Sequence, residues 1–480
     1  MKNVSRILMP LVATVIMLAA GGCTATVTNT NTNTNTASNT NTTSNTNAAA
    51  ATPASSNPNL SNVSVTLPLL DAMFAEENFA NELKSRVQLT DEQVGKLRSV
   101  AREATSKLRE GGDDNPPQGT TAAARAQAEA QIKATIGPEK TQQLMAFVGE
   151  RYSGGAGQPS PAPAGSVPAD SRIVVNAPAF RMDVFQNGQL VKTYRVAIGY
   201  PEFPLPAGMR KADTIIFNPT WTPPDEPWVE APGSKVKVGE TVKAGDKLNP
   251  LGPIKIPIGL PSLIHGGKTP ARIGNFGSHG CVGLTNAQVQ DFAKLLAQTG
   301  GANLTPEQIA EYEKNKTETK SVKLATTVPV ELRYDTITVE DGKLHIYRDV
   351  YDKNTNTEEN LRVALEAYGV RLEQLSEAER AQVINALKEM SRDASGRLDN
   401  SSNTASSANA NSNARGANSN SNSSKKTDNS NSKVTRTIKG QKEVVIEIAA
   451  LQGKGYPAPV NLDTGGAAPQ GKTASSKKKK

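Results

Sequence analysis

Two long polar tracts limit which parts of this 480-residue chain can form a folded core. Residues 24–60 carry no charged side chain and consist almost entirely of Thr, Asn, Ser, Ala and Pro, while residues 396–432 are rich in Asn, Ser and Ala. Segments of this composition cannot bury enough apolar surface to offset the entropy that ordering costs. We therefore predict that both tracts are disordered and that the folded regions lie between and after them.

The first 22 residues have the form of an export signal. A basic start is followed by an apolar stretch at 7–18 that is too short to span a membrane, and small residues then lead to Cys23. This order resembles a bacterial lipoprotein signal peptide (1–22), which implies cleavage before Cys23 and a lipid on its thiol. Residues 23–60 are then a lipid anchor and a flexible tether. The alternative is an ordinary secretory signal in which Cys23 is incidental.

The formal net charge of +8 comes from 54 Lys and Arg residues against 46 Asp and Glu residues. Half of this excess lies in the terminal lysines 477–480, so the chain has no pervasive basic face of the kind that binds nucleic acid. We therefore predict no nucleic-acid partner. The basic end of the segment 433–480 is either attracted to an anionic polymer or membrane surface, or is a solubilising terminus.

The residues between the polar tracts begin with a region of helical character. Apolar residues recur at helical spacing within 61–153, where Thr90 and Gln93 have the form of a capping box. A Gly/Pro/Ser linker at 154–170 ends this small α-helical region. A second helical segment, 353–395, precedes the second polar tract.

Residues 171–352 are predicted to form a mainly β domain with few helices. Asn187-Gly188, between two β-prone runs, is a strong signal for a type I′ hairpin. Short β-prone runs separated by Pro and Gly lie at 173–175, 182–185, 190–197, 214–217, 236–238, 254–256, 328–334, 336–339 and 344–347. The other predicted elements are helices at 286–298, 305–315 and 358–392, and a β-prone piece at 434–451.

Two of the three histidines lie within 16 residues of Cys281. A thiol acts as a nucleophile only as thiolate, so a nucleophilic cysteine needs a neighbouring base or cation that lowers its pKa. His265 and His279 can meet this need, and Gly280 lets successive backbone N–H groups converge on an oxyanion. If Cys23 carries a lipid, Cys281 is a lone thiol in an oxidising compartment. These features predict that Cys281 is a nucleophile.

The same residues resemble the signature of the L,D-transpeptidase catalytic domain (YkuD family), which is a His-Gly followed, after a gap, by Ser/Thr-His-Gly-Cys and an apolar residue. The matching residues are Ile264-His265-Gly266 and Ser278-His279-Gly280-Cys281-Val282. The resemblance covers about 171–352, includes Pro250-Leu251-Gly252, and implies an L,D-transpeptidase-like β-sandwich or barrel. In this chain Gly283 stands where the family often has Arg or Asn.

The resemblance implies a role for each residue of the motif. Cys281 is the nucleophile, and His265 is its general base and later its acid, oriented by a main-chain carbonyl such as that of Gly266. The backbone N–H groups of Gly280 and Cys281 form the oxyanion hole. The residues that shape the pocket or bind substrate are His279, Ser278 and Gly266. Neither a cofactor nor a metal is implied.

The implied reaction is acyl transfer on peptidoglycan stem peptides, with the domain lipid-anchored in the cell envelope and facing the periplasm. The thiolate attacks the carbonyl of the third stem residue, and D-Ala leaves. The thioester then passes to an amine, which gives a 3→3 cross-link or attaches a protein.

Two other interpretations use the same features. His265, His279 and Cys281 have a His-x13-His-x-Cys spacing that could bind zinc with a further ligand or water. His345 is remote in sequence, and we interpret it as a surface or core residue.

The alternative function is a non-catalytic or weakly hydrolytic envelope-binding lipoprotein, whose helical region and lysine tail contact the wall or partners.

Overall fold

The computed structural model describes residues 64–76, 78–108, 120–152, 165–225, 229, 234–259, 262–302, 304–397 and 437–466, all within the unit Ser56–Lys480. The predicted leader, the predicted lipidation site Cys23, the predicted tether and the terminal lysines lie outside the described residues, as does nearly all of the second polar tract. Among the helices in the described ranges, none is both long enough and apolar enough to cross a membrane.

The predicted helical region contains five described α-helices with their own apolar core. They are α1 (Leu67–Phe74), α2 (Phe79–Arg86), α3 (Asp91–Ser106), α4 (Thr121–Ile136) and α5 (Pro138–Tyr152). The capping box predicted at Thr90 and Gln93 is confirmed at the start of α3. Side chains such as Met73, Leu97 and Ile132 are fully buried in this core, which stabilises the helices by removing their apolar faces from water.

The β-rich region contains the strands β1 (Arg172–Asn176), β2 (Arg181–Gln186), β3 (Gln189–Arg195), β4 (Ile198–Gly199), β5 (Gly208–Phe217), β6 (Ile254–Pro257), β7 (Leu263–His265), β8 (Phe276–Ser278), β9 (Val282–Gly283) and β10 (Lys320–Arg333). Eight of them form one sheet of order β3-β2-β1-β10-β5-β6-β7-β9. Strands β4 and β8 form a separate parallel pair. Asn187 and Gly188 both have positive φ between β2 and β3, which confirms the predicted hairpin.

Two helices follow the strands that carry the cysteine motif, namely α6 (Asn286–Thr299) and α7 (Pro306–Lys314). The apolar face of α6 packs on the sheet, with Phe292 edge-on to Tyr194 at 6.0 Å between ring centroids. The predicted fold class is confirmed, because this region is mainly β with few helices and follows an α-helical region. The strand predicted at 236–238 is wrong, since those residues form a loop and turn.

A smaller antiparallel sheet lies towards the end of the chain. Its strands are β11 (Ile337–Glu340), β12 (Lys343–Tyr347) and β13 (Glu443–Glu447), and they share a core with α8 (Glu358–Glu366) and α9 (Glu377–Met390). The segment 358–392, predicted to be helical, contains these two helices, and the second begins at a capping box of Ser376 and Glu379. Strands β11 and β12, which precede the domain boundary predicted at residue 352, pack in this second core.

The helical region is docked on the loop that follows β4. The hydroxyl of Thr66 donates a 2.7 Å hydrogen bond to the carbonyl of Glu202, and that of Thr121 donates one of 2.9 Å to the carbonyl of Pro201. A carboxylate oxygen of Asp352 accepts a 2.9 Å hydrogen bond from the Thr121 N–H at the start of α4. These bonds fix the loop that leads to the aromatic wall described below.

Candidate active site

Strand pairing brings His265 and the cysteine turn together. Strand β7 ends at His265, and β9 begins at Val282, directly after Cys281. The two strands are parallel neighbours, with His265 opposite Gly283, and the N–H of Leu284 donates a 2.8 Å hydrogen bond to the carbonyl of His265. Strand pairing therefore brings His265 next to the cysteine turn, although His265 and Cys281 are 16 positions apart in the sequence.

A tight turn holds Cys281. Its N–H donates a 3.0 Å hydrogen bond to the Ser278 hydroxyl, which in turn donates one of 2.6 Å to the Cys281 carbonyl. Gly280 has φ of +89°, which a side chain would strain, and its carbonyl accepts a 2.8 Å bond from the Ser262 hydroxyl. These hydrogen bonds fix the backbone of the turn that carries the Cys281 thiol.

These contacts change one part of the predicted oxyanion hole. The Cys281 N–H is already engaged by Ser278, so in this conformation it does not point to an oxyanion. Within the described residues, the N–H of Gly280 donates no hydrogen bond. The Ser278 hydroxyl uses both its donor and its acceptor capacity inside the turn, which favours a role in shaping the site.

His265 is held as a neutral base. Its side chain is buried, with the residue only 4% exposed, and its Nδ1 lies 2.8 Å from the carbonyl oxygen of Gly266. A carbonyl oxygen can only accept, so the hydrogen of the neutral ring is on Nδ1 and the lone pair is on Nε2. The Gly266 carbonyl is the orienting group that the resemblance implied, and the tautomer it selects accepts a proton at Nε2.

The electrostatics of the pair differ from the expectation of a lowered thiol pKa. Burial and the charge of Lys268 lower the pKa of His265 to about 3, against opposing hydrogen bonds with the carbonyls of Gly266 and Leu251. Burial also raises the pKa of the Cys281 thiol, and outweighs a main-chain hydrogen bond at Leu263 and the charge of Lys268, which lower it. Because burial disfavours the charged form of both groups, the resting pair is a thiol and a neutral imidazole.

The His265-Gly266-Gly267 segment packs against the turn at 250–252. A Cβ atom at position 252 would lie 2.4 Å from the Gly267 nitrogen, so only glycine allows the two backbones to approach this closely. The Gly267 N–H also donates a 2.8 Å hydrogen bond to the Asn286 side chain at the start of α6. The Pro250-Leu251-Gly252 sequence noted in the resemblance therefore packs against the backbone of the segment that begins at His265.

His279 lies in an aromatic wall that the sequence analysis did not identify. The rings of Tyr200 and Phe203 pack edge-on against it, with centroid distances of 5.2 and 4.6 Å. Both belong to the loop on which the helical region docks. No spacing pattern links them to the motif, since they lie more than sixty residues before its first residue, Ile264.

The third histidine is placed elsewhere. His345 lies on β12, where its Nδ1 is 2.6 Å from a carboxylate oxygen of Glu443 on β13. It is not part of the cysteine site. Among the residues that the structure describes, no group of three or more His, Cys, Asp or Glu side chains is arranged to hold a metal ion.

Comparison with known proteins supports the predicted resemblance. Residues 170–330 match the sequence model of the YkuD family, described as the L,D-transpeptidase catalytic domain. The resemblance is therefore confirmed over that segment. None of the curated proteins matches the chain.

Several solved structures are similar at low sequence identity. The catalytic domain of an Enterococcus faecium L,D-transpeptidase is 16% identical, with 35% of this chain and 100% of that chain covered and a TM-score of 0.23. The Ldtfm–avibactam carbamoyl enzyme is 17% identical, with coverages of 34% and 49% and a TM-score of 0.21. A Mycobacterium smegmatis L,D-transpeptidase is 15% identical, with coverages of 34% and 59% and a TM-score of 0.20. The chain thus spans about half to three-fifths of the two longer structures.

Proposed function

We propose that this protein is a peptidoglycan L,D-transpeptidase that uses Cys281 as its nucleophile and His265 as its base. The observation that carries the proposal is the His265 ring, whose Nδ1 lies 2.8 Å from the Gly266 carbonyl oxygen, on a strand paired with the strand that follows the Cys281 turn. This arrangement lies within the segment that matches the L,D-transpeptidase catalytic domain. The proposal needs no cofactor.

The chemistry follows from the resting protonation states. As Sγ of Cys281 attacks the carbonyl carbon of the third stem residue, Nε2 of His265 removes the thiol proton, so charge develops only during the reaction. We assign the N–H of Gly280 as the donor that binds the oxyanion. The intermediate collapses with cleavage of the C–N bond, the imidazolium protonates the departing D-Ala amine, and Cys281 holds a thioester.

The second half-reaction decides between transfer and hydrolysis. An amine from a neighbouring stem, or from a protein, attacks the thioester carbonyl and gives up a proton to His265, and the thiol is released. The wall of Tyr200 and Phe203 beside His279 narrows one side of the site and so favours an ordered acceptor over bulk water.

The experiment is a muropeptide assay with tetrapeptide stems, with products separated by mass, together with the intact mass of the protein after exposure to a carbapenem. We expect cross-linked dimers, release of D-Ala, an acyl adduct on the protein and no effect of a chelator. Tripeptide product alone would show an L,D-carboxypeptidase. Absence of both turnover and adduct would leave the envelope-binding lipoprotein as the function.

We also propose that the mature protein is anchored in the cell envelope by a lipid on Cys23. The support is the order of basic start, apolar stretch and small residues before Cys23, and the uncharged tract after it. A tether would keep the domain near its polymer and raise the local concentration of acceptor stems.

Replacing Cys23 with Ser should release the protein from membrane fractions, because the acyl chains can no longer be attached. Fractionation followed by immunoblotting measures the effect. Wild-type protein and the variant Cys281→Ser, which leaves the leader intact, are the controls and should stay in the membrane fraction. Full retention of Cys23→Ser at the membrane would show that another feature anchors the chain.

A further inference from the structure

The space beside Gly283 is filled by Lys268. A Cβ atom at position 283 would lie 2.7 Å from both Cγ and Cε of Lys268 and 3.2 Å from its Cδ. The aliphatic stem of the lysine therefore crosses the strand at Gly283, two residues beyond Cys281. A side chain at position 283 would force the lysine stem to shift from this path.

The backbone of Lys268 is fixed in the same place. Its N–H donates a 3.0 Å hydrogen bond to the carbonyl of Leu284, the residue whose own N–H is bonded to the carbonyl of His265. Lys268 follows His265 by three residues and is half-buried. The side chain is thus held against the sheet between the two halves of the cysteine motif.

The charge of this lysine acts on both reacting groups. It lowers the pKa of the Cys281 thiol, and it lowers the pKa of His265. Lys255, which lies opposite His265 on β6, also lowers the pKa of His265. The pKa of the Cys281 thiol is instead shifted by burial, by a main-chain hydrogen bond at Leu263 and by the charge of Lys268. The two lysines therefore differ in their effect on the nucleophile.

We propose that Lys268 is a positioning residue of the site, whose ammonium group stabilises the Cys281 thiolate through space while its stem occupies the position that glycine leaves open at 283. The reaction itself rests on the proposed function, whereas the effect on the thiol does not. Lys268 keeps its proton throughout. The thiol proton moves from Sγ to Nε2 of His265 and then to the leaving amine.

The same charge affects the two proton transfers differently. A nearby cation stabilises the thiolate and destabilises the imidazolium, so it makes the protonated His265 a stronger acid. The formation of the ion pair gains little from these opposing effects. The later step gains, because the imidazolium must give its proton to the departing D-Ala amine before the thioester is complete.

The test is the pH dependence of Cys281 alkylation by iodoacetamide in the full chain, followed by intact mass. In Lys268→Met, which keeps an apolar stem, we expect the midpoint to rise by about one pH unit, and the rate below the midpoint to fall about tenfold. Lys268→Arg should restore the wild-type midpoint. Lys255→Met is the matched control, and its thiol midpoint should equal that of the wild type.

The proposal is overturned if Lys268→Met alkylates with the wild-type profile, or if Lys255→Met shifts the profile equally. Far-ultraviolet circular dichroism of each variant separates these outcomes from loss of the fold. A shifted midpoint with no transpeptidase activity in the wild type would support the electrostatic role while rejecting the proposed reaction. Transpeptidase activity in the wild type, together with an unshifted alkylation midpoint in Lys268→Met, would support the proposed reaction and reject the electrostatic role of Lys268.

Discussion

Cys281→Ala should abolish both cross-linking of tetrapeptide stems and formation of a carbapenem adduct. Sγ of Cys281 is the proposed nucleophile, and the Ser278 hydroxyl of the same turn is bonded to both the N–H and the carbonyl of Cys281. Loss of the covalent step removes on the order of 10⁴-fold or more of the rate. Muropeptide turnover and intact mass both measure this.

The fold should survive the change, because the turn is held by backbone and Ser278 contacts that Ala retains. Cys281→Ser is the second variant. It keeps a nucleophilic atom, but a hydroxyl is far less acidic than a thiol, so its activity should also be close to background. Turnover by a folded Cys281→Ala protein at more than a few per cent of wild type would exclude Cys281 as the nucleophile.

His265→Ala should reduce kcat/KM for acylation by roughly 10²- to 10⁴-fold, the range that general-base catalysis supplies. His265→Gln keeps much of the side-chain volume without a base of useful strength, and separates loss of catalysis from loss of packing at this buried position. His345→Gln is the matched control, because that histidine lies on the second sheet bonded to Glu443. Its kcat/KM should be unchanged.

The pH profile tests the protonation states assigned to the pair. The pKa of His265 is lowered to about 3, so the neutral base is present at every pH well above that value. The wild-type kcat/KM should therefore stay level as the pH falls from about 8 to about 5, although an ordinary histidine would lose its basic form near pH 6.5. Loss of activity centred near pH 6.5 in the wild type would contradict the buried neutral imidazole.

Much of the chain could be read from local chemistry. Helix caps act over three residues, and the capping boxes at Thr90, Thr285, Thr305 and Ser376 all begin helices in the structure. The Asn187-Gly188 turn has the positive φ angles that a type I′ hairpin demands. These features depend on neighbours along the chain, so a single sequence contains them.

The second sheet was beyond such reasoning. Strand β13 pairs with β12 although almost one hundred residues separate them, and the pairing completes a core with α8 and α9. The β-prone character of 434–451 was visible in the sequence, but its partner was not. Propensity describes a strand's own residues, whereas its neighbour is chosen by which apolar faces can be buried together.

The candidate site divides in the same way. The sequence alone determined which residues have the chemistry: one cysteine and two histidines within a short span, with glycines that permit close backbone approach. The carbonyl of Gly266, which the resemblance to the L,D-transpeptidase domain implied, is adjacent to His265 in the chain. These are properties of residue type and of short-range connectivity.

Tertiary structure alone decided how that chemistry is tuned. Parallel pairing of β7 with β9 places His265 beside the cysteine turn, burial keeps both groups neutral at rest, and Lys268 crosses the gap at Gly283. Rings from a loop more than seventy residues away complete the wall at His279. Proton affinity depends on the dielectric and the charges that surround a group in space, and those surroundings exist only once distant segments have packed together.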